Sequence, residues 1–229
     1  MQHAGTTDVD VQVNLEIARG AVNGKRLERA LRNAEFEPDE QSVWRWRSTA
    51  GPHSAVVKFE LLADLDDQPA AATVQFDECE SLGAVNLRGT RFAARDVETR
   101  QLHARIGGVD QTAEIMVTGL AGFLLAKCAA AHGRRKPKDW YDIAFVLVHN
   151  DAGGPAEAAA LVSSHFARDL DAVRTQLNDL RANFGSPEDQ GAQAYAEQMA
   201  QDHPETARAT HAADAVVALA AFYRALYGS

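Results

Sequence analysis

Near its start the chain alternates polar and aliphatic residues over eight positions, Asp8-Val9-Asp10-Val11-Gln12-Val13-Asn14-Leu15, a period of two that demands an extended strand. In such a strand Val9, Val11, Val13 and Leu15 turn toward a core, while Asp8, Asp10, Gln12 and Asn14 share the opposite face. Two aspartates side by side on one face repel unless a cation neutralises them. Hard oxygen donors of this kind suit Mg²⁺ or Mn²⁺. A solvated polar strand face is the alternative reading of the same residues.

The rest of the composition narrows the setting. At 229 residues with 46% hydrophobic content, the chain can build one sizeable domain or two small ones. No apolar run approaches the roughly 20 residues that a bilayer span needs, and no signal-like segment is present, so a cytoplasmic protein without membrane contact is expected. Cys79 and Cys128 lack metal-ligand spacing and read as reduced thiols. A net charge of −9 argues against broad capture of nucleic acid. One local basic patch stands out, Arg134-Arg135-Lys136-Pro137-Lys138, a seat for the phosphates of an acceptor.

Periodicity divides the chain into a mixed first half and a helical second half. Leu27, Ala30, Leu31 and Ala34 at helical spacing predict an amphipathic helix over 24–34 with a basic polar face. Ser42 to Arg47 alternates as a strand, the turn Ala50-Gly51-Pro52 follows, and His53 to Asp64 reads as its mostly buried hairpin partner. An acidic loop from Asp64 to Pro69 ends that strand. Short extended segments are expected at 84–87 and 90–93, with the region finishing near Thr118. Leu120 to His132 reads as a helix apolar nearly all round and stopped by Gly133, and Lys138 to His149 as the next, opened by Pro137. Helices are expected over 156–165 and 169–183, then one with Ser186 as N-cap and a last one over 207–226. His132 and His149 read as helix-end histidines, and no grouping of serine, histidine and carboxylate suggests a hydrolase.

Four elements carry chemistry: Asp8 and Asp10, Glu60 on the later strand, Lys127 in the apolar helix, and Lys138-Asp139-Trp140-Tyr141-Asp142 opening the next. Three strand carboxylates can hold two divalent ions, and a lysine can meet phosphate as a point charge. Each residue also has a plainer reading. Glu60 could pair with an arginine across the sheet, Lys127 could be an ion-paired helix lysine, and Asp139 could serve only the helix dipole.

The pattern resembles the nucleotidyltransferases of the DNA polymerase beta superfamily, and in particular the AbiEii/MenT-type enzymes of toxin and antitoxin pairs. The resemblance rests on Thr6-Thr7-Asp8-Val9-Asp10, on Val57-Lys58-Phe59-Glu60-Leu61, and on Leu124-Leu125-Ala126-Lys127 followed by Arg135-Lys136-Pro137-Lys138-Asp139-Trp140-Tyr141-Asp142-Ile143. It implies an α+β fold, with a polymerase-beta-like mixed sheet and flanking helices over 1–115 and a helical region over 116–229. It implies Asp8, Asp10 and Glu60 as ligands of Mg²⁺ or Mn²⁺, and Lys127, Asp139 and Lys58 as the nucleotide-binding set. Asp142 joins Asp8, Asp10, Glu60 and Lys127 as catalytic. The implied reaction moves a nucleoside monophosphate from a nucleoside triphosphate to a hydroxyl of tRNA, protein or a small molecule, with an antitoxin protein as partner. Family members also carry a Gly-Gly or Gly-Ser turn ahead of the aspartates, whereas only seven residues precede Asp8 here. A chain lacking that turn is expected to lose phosphate contacts, which makes an inactive relative that acts by binding a partner the alternative.

Overall fold

The computed structural model describes residues 8–13, 21–48 and 56–228. Thr6, Thr7, Asn14, Leu15, His53 and the turn Ala50-Gly51-Pro52 lie outside the described residues. The architecture is α+β, and the chain divides into two compact units, Gln2–Arg91 and Phe92–Ser229.

The first unit holds β1 (Asp8–Gln12), α1 (Ala21–Asn33), β2 (Glu37–Asp39), β3 (Ser42–Ser48), β4 (Val57–Ala63), β5 (Thr73–Gln75) and β6 (Gly83–Asn86). The sheet runs β2-β3-β4-β6-β5, with β1 added in parallel to β4. Strands β3 and β4 form the antiparallel pair that their alternation predicts. β4 is central because its apolar residues do not alternate: Leu61, Leu62 and Ala63 are all buried, as a strand covered on both faces requires. Val11 and Val13 pack partly against the core of Trp46, Leu61, Phe76 and Leu82. Val9 remains 46% exposed, so the apolar side of β1 is covered only toward its C-terminal end. In α1, Leu27 and Leu31, one turn apart, face that core, and Arg26, Arg29 and Arg32 point outward.

The segment expected to be extended at 90–93 is instead a short helix, α2 (Arg91–Arg95). Its start is capped from a distance: Asp64 Oδ2 accepts the backbone N–H groups of Gly89 at 2.8 Å and Arg91 at 3.0 Å. Local propensity cannot anticipate a cap supplied 27 residues earlier. Asn86 performs a similar service for the acidic loop. Fully buried, its amide faces the carbonyls of Leu65, Gln68 and Pro69 at 3.1, 3.0 and 2.9 Å, and its oxygen accepts the Leu65 N–H at 2.8 Å.

The second unit opens with a hairpin, β7 (Val97–Ile106) and β8 (Val109–Thr118), closed by Gly107-Gly108 with both φ angles positive, as a two-residue hairpin turn requires. Because these strands pair with each other and Phe92 packs into the helical core, the units divide at 91 and 92, ahead of residue 115. Six helices follow: α3 (Leu120–Arg134), α4 (Pro137–His149), α5 (Pro155–Phe166), α6 (Arg174–Ala182), α7 (Gln190–Asp202) and α8 (Arg208–Tyr227). Their buried faces meet around Leu124, Ile143, Leu147, Phe166, Tyr195 and Phe222.

Three helix ends depart from the sequence expectation. Helix α3 runs through Gly133 to Arg134 and stops at Arg135, which takes the left-handed conformation at φ 51°. The N-cap of α7 is Asp189 rather than Ser186, with the Ser186 N–H donating to Asp189 Oδ2 at 2.7 Å. Residues 169–173 are turns rather than the first part of a helix, so α6 starts at Arg174. At the start of α3, Asp96 accepts the Gly122 N–H at 2.7 Å, and a Cβ on Gly119 would lie 2.6 Å from its carboxylate. Among the described residues no helix is long and apolar enough to cross a membrane.

Two predictions follow from this packing. Asn86→Ala strands several loop carbonyls and the Leu65 N–H, and is expected to lower the unfolding free energy by about 3 kcal/mol in denaturant titration. A loss under 1 kcal/mol would show that water replaces the amide. His149 Nε2 lies 3.0 Å from Tyr195 Oη, and burial, aided by His203 and His211, holds the imidazole below its ordinary pKa of 6.5. A depressed folded-state value means stability is intact above pH 6.5 and lost as pH falls through the folded pKa. The melting temperature should therefore drop between pH 7.5 and 5.5, and less steeply in His149→Gln; equal slopes would assign the loss to other groups.

Candidate functional site

Two charged clusters emerge, one in each unit. In the first, strand register does the work. Asp10 stands opposite Glu60 across the β1–β4 pair, and Arg45 stands opposite Glu60 across β3–β4. Directly paired residues share a sheet face, so Glu60 lies between Asp10 and Arg45. One row along, Asp8 pairs with Lys58 and Lys58 with Arg47. Asp8, Asp10, Glu60, Lys58, Arg45 and Arg47 thus occupy one face, with three charges of each sign.

The cations sit close to the carboxylates. Arg45 Nε donates to Glu60 Oε1 at 2.6 Å, and its guanidinium carbon lies 4.5 Å from the centre of the Trp44 ring. Lys58 Nζ is 3.5 Å from Asp8 Oδ1, and Arg47 reaches Asp39 at 3.2 Å. The donor set of Asp8, Asp10 and Glu60 fits a hard divalent cation in chemistry and in register. Among the described residues, however, no three His, Cys, Asp or Glu side chains converge on a point where a metal could sit. Glu60 is directed at Arg45 instead. The arginine across the sheet is the plainer partner that its strand position allowed, and Lys58, expected to bind nucleotide, faces Asp8.

In the second unit the connection between α3 and α4 sets the geometry. Lys127 and Arg134 are seven residues apart and share a face of α3. Arg135 in its left-handed conformation, its N–H bonded to the Ala131 carbonyl, ends α3, and Pro137 at the first position of α4 restarts the helix after two residues. Asp139 and Asp142, three apart on α4, are thereby brought against Lys127 and Arg134. Lys127 Nζ donates to Asp142 Oδ2 at 2.7 Å and lies 3.7 Å from Asp139 Oδ1. Arg134 completes the cluster, its Nη2 and Nε donating to the two oxygens of Asp139 at 2.7 and 3.2 Å.

Burial gives this cluster its character. The side chains of Asp139 and Asp142 are 4% and 6% exposed, and that of Lys127 is 21% exposed. Two carboxylates withdrawn from water so completely need paired cations. Lys127 keeps an opening to solvent, and an ammonium has three donors, of which Asp142 takes one at hydrogen-bond distance. The cluster can therefore present a rigidly held positive charge to an anion. Arg134 is exposed, as expected of the basic patch, yet its guanidinium is paired with the buried Asp139; Arg135, Lys136 and Lys138 are exposed beside it.

Sequence reasoning singled out Glu60, Lys127, Asp139 and Asp142, and placed Arg134 in a basic patch, but it identified neither Arg45 as the partner of Glu60 nor Arg134 as the partner of Asp139. For Arg134 the signal was its seven-residue spacing from Lys127. For Arg45 it was the alternation Trp44-Arg45-Trp46-Arg47, which puts both arginines on one face.

The cluster predicts strong energetic coupling. Lys127→Met is expected to lower the unfolding free energy by about 2–4 kcal/mol, because it leaves buried carboxylates with too few cations. Combined with Asp142→Asn, the two losses should fall short of their sum by at least about 1 kcal/mol in a double-mutant cycle. Additive losses would mean that the two side chains do not act as a pair.

A family model described as "Nucleotidyl transferase AbiEii toxin, Type IV TA system" matches residues 81–219. The matched segment contains Lys127, Arg134, Asp139 and Asp142, while Asp8, Asp10 and Glu60 precede it. Comparison with curated proteins and with solved structures gave no match.

Proposed function

The chain belongs to the AbiEii nucleotidyl transferase toxin family, and from that premise we propose that it transfers a nucleoside monophosphate from a nucleoside triphosphate to an acceptor hydroxyl. The acceptor oxygen bonds to the α-phosphorus, the bridging bond to the β-phosphate breaks, and pyrophosphate leaves. The reading is carried by one observation: the family match covers a lysine, Lys127, that is held by buried carboxylates and still open to solvent.

In this reading Lys127 donates to a phosphate oxygen as a preorganised point charge. Asp142 fixes the ammonium through its 2.7 Å bond. Asp139 contributes at longer range and is itself held by Arg134. Asp8, Asp10 and Glu60, on one face of the first unit's sheet, would supply oxygen donors to Mg²⁺ or Mn²⁺. Lys58, beside Asp8, balances that face. An antitoxin protein is the expected partner of a toxin-family member, the setting is cytoplasmic, and tRNA, protein and small-molecule hydroxyls are the acceptor classes to be sorted by experiment.

The test is direct. The full chain is incubated with each α-labelled nucleoside triphosphate and Mg²⁺ in cell extract, and labelled acceptors are isolated. Label is expected in one acceptor class from one preferred nucleotide, and Lys127→Ala should lower the rate by roughly 10²–10³-fold. No transfer from any of the nucleotides, with the protein folded by circular dichroism, would overturn the proposal.

A further inference from the structure

The hairpin β7–β8 is exposed along nearly its whole length. Neither strand alternates strongly by itself, but the register gathers the apolar residues of both. The pairs Leu102–Ala113, Ala104–Gln111 and Ile106–Val109 share one face with Arg100–Ile115 and Glu98–Val117. On the other face polar partners answer one another across the strands. Gln101 Nε2 donates to Glu114 at 2.9 Å, His103 Nδ1 lies 3.0 Å from the Thr112 hydroxyl, and Arg105 is 3.8 Å from Asp110. That face is complete in water. The first leaves Leu102, Ile106 and Val109 52%, 58% and 61% exposed. A lone two-stranded ribbon is marginal in water, and an uncovered apolar face on it marks an interaction surface.

The chemistry of the face selects its cover. Glu98 and Arg100 are its two charges and are bonded to each other, so the face has no net charge. A second copy matches it in charge and in shape. A copy given half a turn about the long axis of the ribbon and packed face to face sets β7 of one over β8 of the other. Leu102 then stands over Ala113 of the second copy, large against small, and symmetry repeats the contact. Ile106 and Val109 meet their counterparts at the tips, and the two Glu98–Arg100 pairs fall side by side at the open end. Packing tip to base would instead press each charged pair onto aliphatic side chains, at a desolvation cost. Ten-residue strands make a ribbon about 33 Å long and about 10 Å wide, so two faces bury on the order of 1,000 Å², the lower end of specific interfaces. We propose that the β7–β8 ribbon is a homodimer contact, in which two copies pack apolar face to apolar face, tips together, as a reversible dimer.

The test is analytical ultracentrifugation of the full chain. Between about 1 µM and about 1 mM it is expected to show a monomer–dimer equilibrium with a micromolar dissociation constant, the scale of a small interface. Ile106→Asp, which buries a charge at the tips, should raise that constant at least about tenfold. Thr112→Asp, on the polar face, should leave it unchanged. Ala113→Leu adds apolar surface and is still expected to weaken the dimer roughly fivefold or more, because it crowds Leu102 of the second copy. Adding Leu102→Ala to it should restore the dimer. Circular dichroism checks the fold of each variant, and the Ala113→Leu series decides the matter if Ile106→Asp unfolds. A monomer over the whole range overturns the proposal and leaves the face to a foreign partner. So does a dimer that Thr112→Asp weakens as much as Ile106→Asp. A dimer that Ala113→Leu tightens, or that the double variant fails to restore, also overturns it, since association would then lack this packing.

Discussion

The helical unit is organised by two carboxylates that have been taken out of water. Asp139 and Asp142 lie at the start of α4 with almost no exposure, and an isolated buried carboxylate is among the most costly groups a protein can hold. The corner between α3 and α4 resolves this by delivering two cations from one helix face to two anions on the other. Arg135 in its left-handed conformation and Pro137 at the helix start make the reversal short enough for those faces to meet. The pairing is obligatory on the carboxylate side: removing either cation leaves a buried carboxylate short of a partner. A lysine held this way has little freedom to relax, which is the condition for a preorganised electrostatic role.

The sheet of the first unit handles charge differently. Asp8, Asp10 and Glu60 share a face with Lys58, Arg45 and Arg47, and most of these side chains keep contact with water. Pairs of this kind contribute little to stability and exchange readily. One unit therefore carries a fixed cluster whose loss is a folding problem, and the other a face whose partners can be replaced. Both are built from oppositely charged neighbours, and burial alone separates their behaviour.

Elements with strong periodicity were legible. The alternation from Ser42 and the stripe of Trp140, Ile143, Ala144 and Leu147 give β3 and α4 close to their observed bounds. Elements whose ends depend on distant partners were not. Helix α2, expected as an extended segment, starts where Asp64 caps it from 27 residues upstream. The exposed β7–β8 hairpin has a weak apolar alternation, so its strands leave little imprint on the pattern. Ser186 offered a plausible cap, yet the helix begins three residues later, with Asp189 at the N-cap and its carboxylate accepting the upstream Ser186 N–H.

By itself the sequence determined which residues carry charge in apolar surroundings, and hence which positions need explanation: Asp8, Asp10, Glu60, Lys127, Asp139 and Asp142. It also set the α+β character and the change to helices in the second half, since periods of two and of 3.6 are local properties. The partners were decided only in three dimensions. Arg45 meets Glu60 because β3 and β4 pair in one register, and a shift by one residue would send the guanidinium to the other face. Arg134 meets Asp139 because a left-handed residue and a proline reverse the chain within two positions. Ion pairing depends on distance, and distance between residues far apart in the chain belongs to the tertiary fold.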